Sequence, residues 1–352
     1  MVDQLYIRDL FSCSTTLIDV RSPGEYSQGH IPGAVNIPLF TDEERAHVGT
    51  VYVRQSREKA MEIGYRYVMP KLGRFIDRSR NISPGGSITV YCMRGGLRSR
   101  SFADHLYNNG LTDVKVLHGG YRAYRRYSLD TFGHAYYIMI VGGYAGSGKT
   151  GIIRRLRFLG HQAIDLEALA VHRGSAFGDI EGCPQPTTEQ FQNNLFDALR
   201  RLDRSRPIWL EDESHNIGGV TIPHEFFLQM RNSPVYFLDI AREVRARHLV
   251  AEYATSSKEF LAGAISRISR RLGREKARTC LHLLEDDKYY QVALHALSYY
   301  DKTYARGMRL HTRGSIYTLP SSTTDPDINT GIILGTLTAQ GQLVEQHLPV
   351  SL

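Results

Sequence analysis

The chain has 352 residues, 42% of them hydrophobic and 22% charged, with a formal net charge of +7; this allows two domains with ordinary cores and excludes a disordered or collagen-like protein. No apolar run approaches the ~20 residues of a transmembrane helix. The opening Met1–Phe11 has acidic residues and no long apolar core, and Cys13, Cys92, Cys183 and Cys280 are too dispersed for a zinc site or a disulfide framework.

In chain order, Thr16–Val20, Ala34–Ile37, Ser87–Tyr91 and Val114–Leu117 read as short buried strands. Between them Asp42–Tyr67 and Arg98–Asn109 have helical patterning, and Pro84-Gly85-Gly86 marks a turn into the third strand. A polar stretch rich in Arg and Tyr, Arg122–His134, separates these from a second series: strands at Ala135–Val141, Gln162–Ile164, Pro207–Leu210 and Val235–Leu238, with a helix at Lys149–Leu159. A further helix starts at Thr187-Thr188, followed by Glu189-Gln190 in a capping arrangement. Strands alternating with helices predict parallel α/β sheets. We expect domains at 1–127 and 135–352 joined by a linker at 128–134, with a helical extension at about 241–306 on the second.

The first chemical motif is Cys92-Met-Arg-Gly-Gly-Leu-Arg98, set between a strand and a helix. Active sites of α/β sheets lie at the C-terminal ends of strands, where this cysteine falls. Arg94, Gly95, Gly96, Leu97 and Arg98 form a candidate anion loop: the glycines let several N–H groups face one point, the helix N-terminus adds positive potential, and the arginines complete the cradle. The same environment lowers a thiol pKa, which makes Cys92 the candidate catalytic group.

Residues 17–39, LIDVRSPGEYSQGHIPGAVNIPL, resemble the opening of a rhodanese domain through Asp19, Arg21, Glu25, Gly29, His30, Ile31, Pro32, Gly33 and Ala34. Leu117-His-Gly-Gly120 resembles that domain's closing turn, so the likeness covers about the first 125 residues. It implies a rhodanese-like fold with Cys92 at the position that carries a persulfide. The five residues between Cys92 and Arg98 are one more than in many single-domain rhodaneses and match the spacing of tyrosine and cell-cycle phosphatases. A loop of that size suits a tetrahedral phosphate-like anion, such as a selenophosphate or thiophosphate donor. Phosphatase action would also want a general acid, and no residue can be assigned to that role.

The second motif, Gly143-Tyr-Ala-Gly146-Ser147-Gly148-Lys149-Thr150, is a complete P-loop in the required strand-to-helix context. Its amides form a nest for a diphosphate, Lys149 adds charge, and the Thr150 hydroxyl is available to Mg²⁺. Glu211, Asp212 and Glu213, at the end of an apolar strand, are candidate metal ligands or a base, with Asp239 a weaker rival; a plain acidic loop is the other reading. Asp165, Arg173 and Ser175 lie in a segment, Asp165–Gly178, of ligand-loop composition.

Together with Asp42–Thr50 and Glu211–Gly218, that segment and the order rhodanese then P-loop resemble the bacterial tRNA 2-selenouridine synthase family, nearly end to end. The likeness implies an α/β fold with an N-terminal rhodanese-like domain and a C-terminal P-loop NTPase-like parallel sheet bearing a helical extension. It implies a cytoplasmic transferase that acts on the wobble uridine in the anticodon region of tRNA, without a membrane. Selenium would pass from selenophosphate to 2-thiouridine through an S-geranyl intermediate made from geranyl diphosphate, with no tightly bound cofactor and with Mg²⁺ as a candidate. Cys92 would accept or deliver selenium, for instance as a selenyl-sulfide, and the P-loop would hold the diphosphate. Two other readings stay open: a nucleotide-dependent kinase or ATPase with an attached persulfide carrier, and a non-enzymatic tRNA-binding regulator, although both loops keep their reactive residues.

The basic residues are 35 Arg and 8 Lys, a bias towards phosphorylated partners or simply an Arg-rich composition. In the helical third, Tyr253, Tyr289, Tyr290, Tyr299, Tyr300 and Tyr304 are interleaved with Arg267, Arg270, Arg271 and Arg274. That pattern suits stacking on RNA bases, and it equally suits amphipathic packing with solvated Arg faces.

Overall fold

The computed structural model describes residues 2–175, 177–179, 182–253, 256–308 and 314–339. The chain divides into two compact units, Met1–Phe132 with Gln192–Asp197, and Gly133–Phe191 with Ala198–Leu352.

The first unit contains β1 (Asp3–Leu5), α1 (Ile7–Leu10), β2 (Thr16–Asp19), α2 (Pro23–Gln28), β3 (Val35–Asn36), α3 (Asp42–Arg54), α4 (Arg57–Val68), α5 (Leu72–Ile82), β4 (Ile88–Tyr91), α6 (Leu97–Asn108), β5 (Val114–Leu117) and α7 (Gly120–Phe132). Its five strands are parallel in the order β1-β5-β4-β2-β3. Ile18, Val20, Ile88, Val90, Phe102 and Val116 are among the buried side chains of one core. The strand order reverses between β2 and β4, which opens the crevice in which such sheets bind ligands.

The polar stretch after β5 is helical as far as Phe132. Gly120, Tyr121, Tyr124, Ser128, Thr131 and Phe132 are buried, a helical spacing that the intervening arginines conceal. Residues 128–132, expected as linker, are therefore the end of α7.

The second unit contains β6 (Ile138–Gly143), α8 (Lys149–Phe158), β7 (Gln162–Ile164), α9 (Leu166–Ala170), α10 (Thr188–Leu199, of which Gln192–Asp197 groups with the first unit), β8 (Ile208–Glu211), a hairpin β9 (Asn216–Ile217) and β10 (Val220–Thr221), α11 (His224–Asn232) and β11 (Val235–Ile240). Then come α12 (Arg242–Tyr253), α13 (Lys258–Leu272), α14 (Arg274–Glu285), α15 (Tyr289–Met308), β12 (Ile316–Ser321) and α16 (Pro326–Ala339). The main sheet is parallel in the order β12-β11-β6-β8-β7. Met139, Val141, Ile152, Trp209 and Leu238 pack its core, while Leu261, Ile265, Ile268, Cys280 and Leu284 give the helical extension a core of its own.

Strand β12 has no counterpart in the sequence reading, because Pro320 interrupts it. An edge strand tolerates proline, which has no N–H to give, and β12 pairs on one side only, with β11. The apolar α16 also went unread; it begins at a proline, a residue suited to the first helical turn.

Candidate active site

Cys92 follows β4 directly and is 3% exposed. Its Sγ lies 3.3 Å from Ser99 Oγ, a hydroxyl that can donate to the thiolate and that also has the Gly96 carbonyl within 3.1 Å. Burial pushes the thiol up, but the Ser99 hydroxyl, the Arg98 charge and the N–H groups of Arg94 and Ser99 outweigh it, and the pKa is below that of an ordinary cysteine. Arg98 is held from the other side, donating to Glu25 Oε2 at 2.9 Å. Glu25 also closes the capping box of α2, accepting from the Ser22 N–H at 3.1 Å. Burial raises the Glu25 carboxyl, and Arg98, the Ser22 N–H and Arg45 lower it further than burial lifts it.

The loop's shape depends on two glycines in the left-handed region. A Cβ on Gly95 (φ 63°) would sit 2.5 Å from the Leu117 carbonyl, and one on Gly120 (φ 58°) would sit 2.2 Å from the Cys92 carbonyl. The closing turn thus presses backbone on backbone against the cysteine loop, joined by Tyr121 N–H to Cys92 O and Arg122 N–H to Met93 O, both 2.9 Å. Of the other loop residues, Gly96 caps α6, while Arg94 and Leu97 point towards solvent as exposed side chains.

The P-loop joins β6 to α8. Gly146 and Gly148 both have φ 77°, and their backbones turn the loop's amides inward. Lys149 Nζ donates to the loop's own Gly143 carbonyl at 3.0 Å, and Thr150 Oγ1 donates to Glu167 Oε2 at 2.6 Å. The Gly143 N–H donates to the Tyr304 hydroxyl at 3.1 Å; that hydroxyl donates to Asp212 Oδ2 at 2.5 Å, and Asp212 Oδ1 accepts from Arg231 at 3.0 Å. Helix α15 is therefore hydrogen-bonded to the first glycine of the loop.

Around Lys149 stands a group of buried carboxyls. Glu211 is fully buried, and burial together with Glu167 and Asp165 pushes it up to about 8. Burial and Glu167 likewise raise Glu213 well above the ordinary range, and burial raises Glu167 against the pull of Thr150 and Lys149. A Cβ on Gly174 would approach Glu167 Oε1 at 2.7 Å and Glu213 Oε1 at 2.9 Å, so both carboxyls converge on that backbone. Glu211 Oε2 and the P-loop Ser147 Oγ are buried without a hydrogen-bond partner among the described residues.

The P-loop opens on a cleft of about 960 Å³, bounded by Gly146, Ser147, Gly148, Lys149 and Thr150, by Glu167, Arg173, Gly174, Ser175, Asp212 and Glu213, and by helices of the extension; the buried Glu211 lies outside its lining. Ala145, Ser175, Leu249, Tyr253 and Tyr300 line both this cleft and an adjoining apolar recess of about 80 Å³, whose other walls include Phe177, Leu261 and Val292.

Several sequence-selected residues stand apart from the cleft's ligand face. Asp165 caps α9 through the Ala168 N–H at 2.7 Å and pairs with Arg154 at 3.0 Å, and Asp239 is exposed on β11 and outside the cleft lining. The tyrosine and arginine set also divides. Tyr253, Tyr299, Tyr300, Tyr304 and Arg271 line the cleft and Tyr289 the recess, whereas Arg267 pairs with Asp179 at 3.0 Å and Tyr290, Arg270 and Arg274 line neither. The sequence reading missed Ser99, Glu167 and Arg231 as site residues. Ser99 carried a signal, a hydroxyl in the first turn of the helix that follows the loop, and Glu167 lies within the Asp165–Gly178 segment already singled out; Arg231 carried none until the sheet was assembled.

The fold and the two loops define a rhodanese-like domain followed by a P-loop domain. Residues 4–127 match the family model of the rhodanese-like domain, and residues 136–318 match that of the tRNA 2-selenouridine synthase AAA domain. The tRNA 2-selenouridine synthase of Nitrosomonas europaea is 34% identical over 79% of this chain and 82% of its own, and that of Bdellovibrio bacteriovorus is 40% identical over 72% and 68%. The protein of the same name from Psychromonas ingrahamii is 34% identical over 80% and 81%. The chain belongs to the tRNA 2-selenouridine synthase family, a family of tRNA-modifying enzymes.

Proposed function

We propose that the protein is a cytoplasmic transferase that converts the wobble 2-thiouridine of tRNA to 2-selenouridine by two group transfers, geranyl transfer at the P-loop and selenium transfer at the Cys92 loop. The observation that carries the first is the apolar recess beside the diphosphate nest. The polar edge of a nucleotide base would be left without partners among Phe177, Leu249, Leu261 and Val292, whereas the end of a hydrocarbon chain gains by burial there. The recess takes the distal end of the geranyl chain, and the rest lies in the cleft.

In the first transfer the thiouridine sulfur attacks C1 of geranyl diphosphate. The S–C bond forms, the C1–O bond breaks, diphosphate leaves and the ring nitrogen loses its proton. The P-loop amides and Lys149 stabilise charge as it develops on the leaving group. Alkylation turns a poor leaving group into a good one. In the second transfer selenium adds to C2, the C2–S bond breaks and geranyl thiol departs.

The Cys92 loop, with its inward amides and Arg98, suits the tetrahedral end of selenophosphate. Attack of the Cys92 thiolate on phosphorus would break the P–Se bond and release selenide with no change of oxidation state, whereas a selenyl-sulfide on Cys92 would require an oxidant. Water then cleaves the phosphocysteine. Among the described residues no group of three or more His, Cys, Asp or Glu side chains converges as a metal site. A hydrated Mg²⁺ fits Thr150, Glu167 and Glu213 only as partial ligands together with the diphosphate, where it would neutralise charge on the leaving group.

The test is mass spectrometry of wobble nucleosides after incubation with tRNA, geranyl diphosphate and selenophosphate, alongside binding of geranyl diphosphate and of ATP. The expected products are S-geranyl-2-thiouridine and then 2-selenouridine. Tight Mg²⁺-dependent ATP binding with hydrolysis, and no binding of geranyl diphosphate, would overturn the prenyl-transfer reading.

A further inference from the structure

We propose that the wall of the cleft formed by α13 and α15 holds the RNA nucleotide that accepts the transferred chain, with Arg271 pairing to a backbone phosphate and Tyr299 stacking on the base. The inference rests on the geranyl-transfer reading for the identity of the acceptor.

The first argument is space. A cleft of about 960 Å³ is far larger than a diphosphate fills, and the chain's apolar end has its own recess. With the diphosphate on the P-loop, an in-line nucleophile must reach C1 from the remaining part of the cleft. The extension contributes to the cleft wall through Arg271 in the last turn of α13 and Tyr299 on α15.

The second argument is charge. The other arginines of the cleft have acidic partners, Arg154 with Asp165, Arg231 with Asp212 and Arg173 with Glu252, while Lys149 belongs to the P-loop itself. Arg271 is exposed and has no ion pair among the described residues. A planar guanidinium left open at the rim of a phosphate-binding cleft matches an RNA phosphate.

The third argument is surface chemistry. Tyr299 is half-buried and edge-on to Tyr300 at 5.2 Å, and its hydroxyl makes no described hydrogen bond. Its ring is held by packing against the extension's core, which gives a rigid platform of the kind on which unstacked RNA bases lie.

The experiment uses the full chain with Arg271→Ala and Tyr299→Ala, two positions outside the described hydrogen-bond network of the P-loop. A fluorescent anticodon stem-loop RNA carrying 2-thiouridine is titrated without geranyl diphosphate, and geranyl diphosphate is titrated without RNA. Each variant is expected to weaken RNA binding about tenfold, as loss of a stacking or phosphate contact does. Arg271→Ala should also reduce the salt slope of RNA binding by about one, with geranyl diphosphate affinity unchanged in both variants. Unchanged RNA affinity in both variants overturns the proposal. So does a loss of geranyl diphosphate affinity in Arg271→Ala, which would give the cation to the diphosphate. Wild-type protein that binds RNA through this wall yet transfers no geranyl group would sink the prenyl reading while leaving the RNA site standing.

Discussion

The two anion loops share one backbone design and differ in what surrounds it. Each leaves the C-terminal end of a parallel strand, turns on left-handed glycine, Gly95 in one and Gly146 and Gly148 in the other, and enters a helix. The cysteine loop is clamped by a second glycine turn, and its only buried reactive group is a thiol lowered by Ser99 and Arg98. The P-loop faces a wide cleft and sits among carboxyls whose pKa burial raises. An amide ring binds an anion in either setting. In the proposed reaction the neighbours then decide whether the anion is attacked, as it would be at Cys92, or leaves, as it would at Lys149.

The comparison breaks most sharply under exchange of the two reactive residues. Cys92→Ser should abolish selenium incorporation while geranyl transfer stays within about twofold, and Lys149→Ala should slow geranyl transfer by ~10²–10³, the scale of losing one preorganised charge. Lys149→Ala should still convert tRNA supplied with S-geranyl-2-thiouridine. Equal loss of both activities in either variant, read by nucleoside mass spectrometry, would erase the division of labour.

The next test concerns the clamp. Gly120→Ala places a Cβ against the Cys92 carbonyl at 2.2 Å, and the backbone cannot move aside cheaply, so thermal unfolding should show a loss on the order of 3 kcal/mol or more. Gly33→Ala, at φ 84° with nothing within 4 Å, should cost only about 1 kcal/mol. Equal costs would mean that the closing turn yields.

On the P-loop side, Glu211 titrates at about 8 when folded against 4.5 ordinarily. The folded state keeps a proton that the unfolded chain has lost, so this group's contribution to stability falls as pH rises from about 4.5 to about 8. Glu211→Gln keeps an acceptor for the Glu167 N–H and removes that penalty. The variant should gain stability over wild type between pH 5 and pH 8, by on the order of 3 kcal/mol; a constant difference across that range would contradict the buried-acid account. The smallest effect expected is from Ser99→Ala. Loss of its hydroxyl should raise the Cys92 thiol and move the acid limb of selenium transfer to higher pH, with geranyl transfer unaffected.

Much of this was legible in the chain itself. The eight strands read from apolar runs all form, because short β-rich runs between glycines and prolines have few other solutions. Both loops announce themselves, since an amide nest needs glycines at fixed spacing beside a reactive residue. Local sequence could not show partners that arrive from elsewhere in the fold. Glu25 reaches Arg98 across 73 positions and Tyr304 reaches Asp212 across 92, and a pattern read within one segment holds no record of such a pairing. Helix α7 was hidden for the opposite reason: its arginines are local and conspicuous, while the burial of Tyr121, Tyr124 and Phe132 depends on what packs against them.

The sequence by itself determined the parallel sheets, the two loops and the family, because backbone turns and hydrophobic periods are local properties. Only the tertiary structure decided which carboxyls are buried, which cations are already paired, and where an apolar recess adjoins the P-loop cleft. Burial, charge pairing and cavity shape belong to the whole fold and to no single segment.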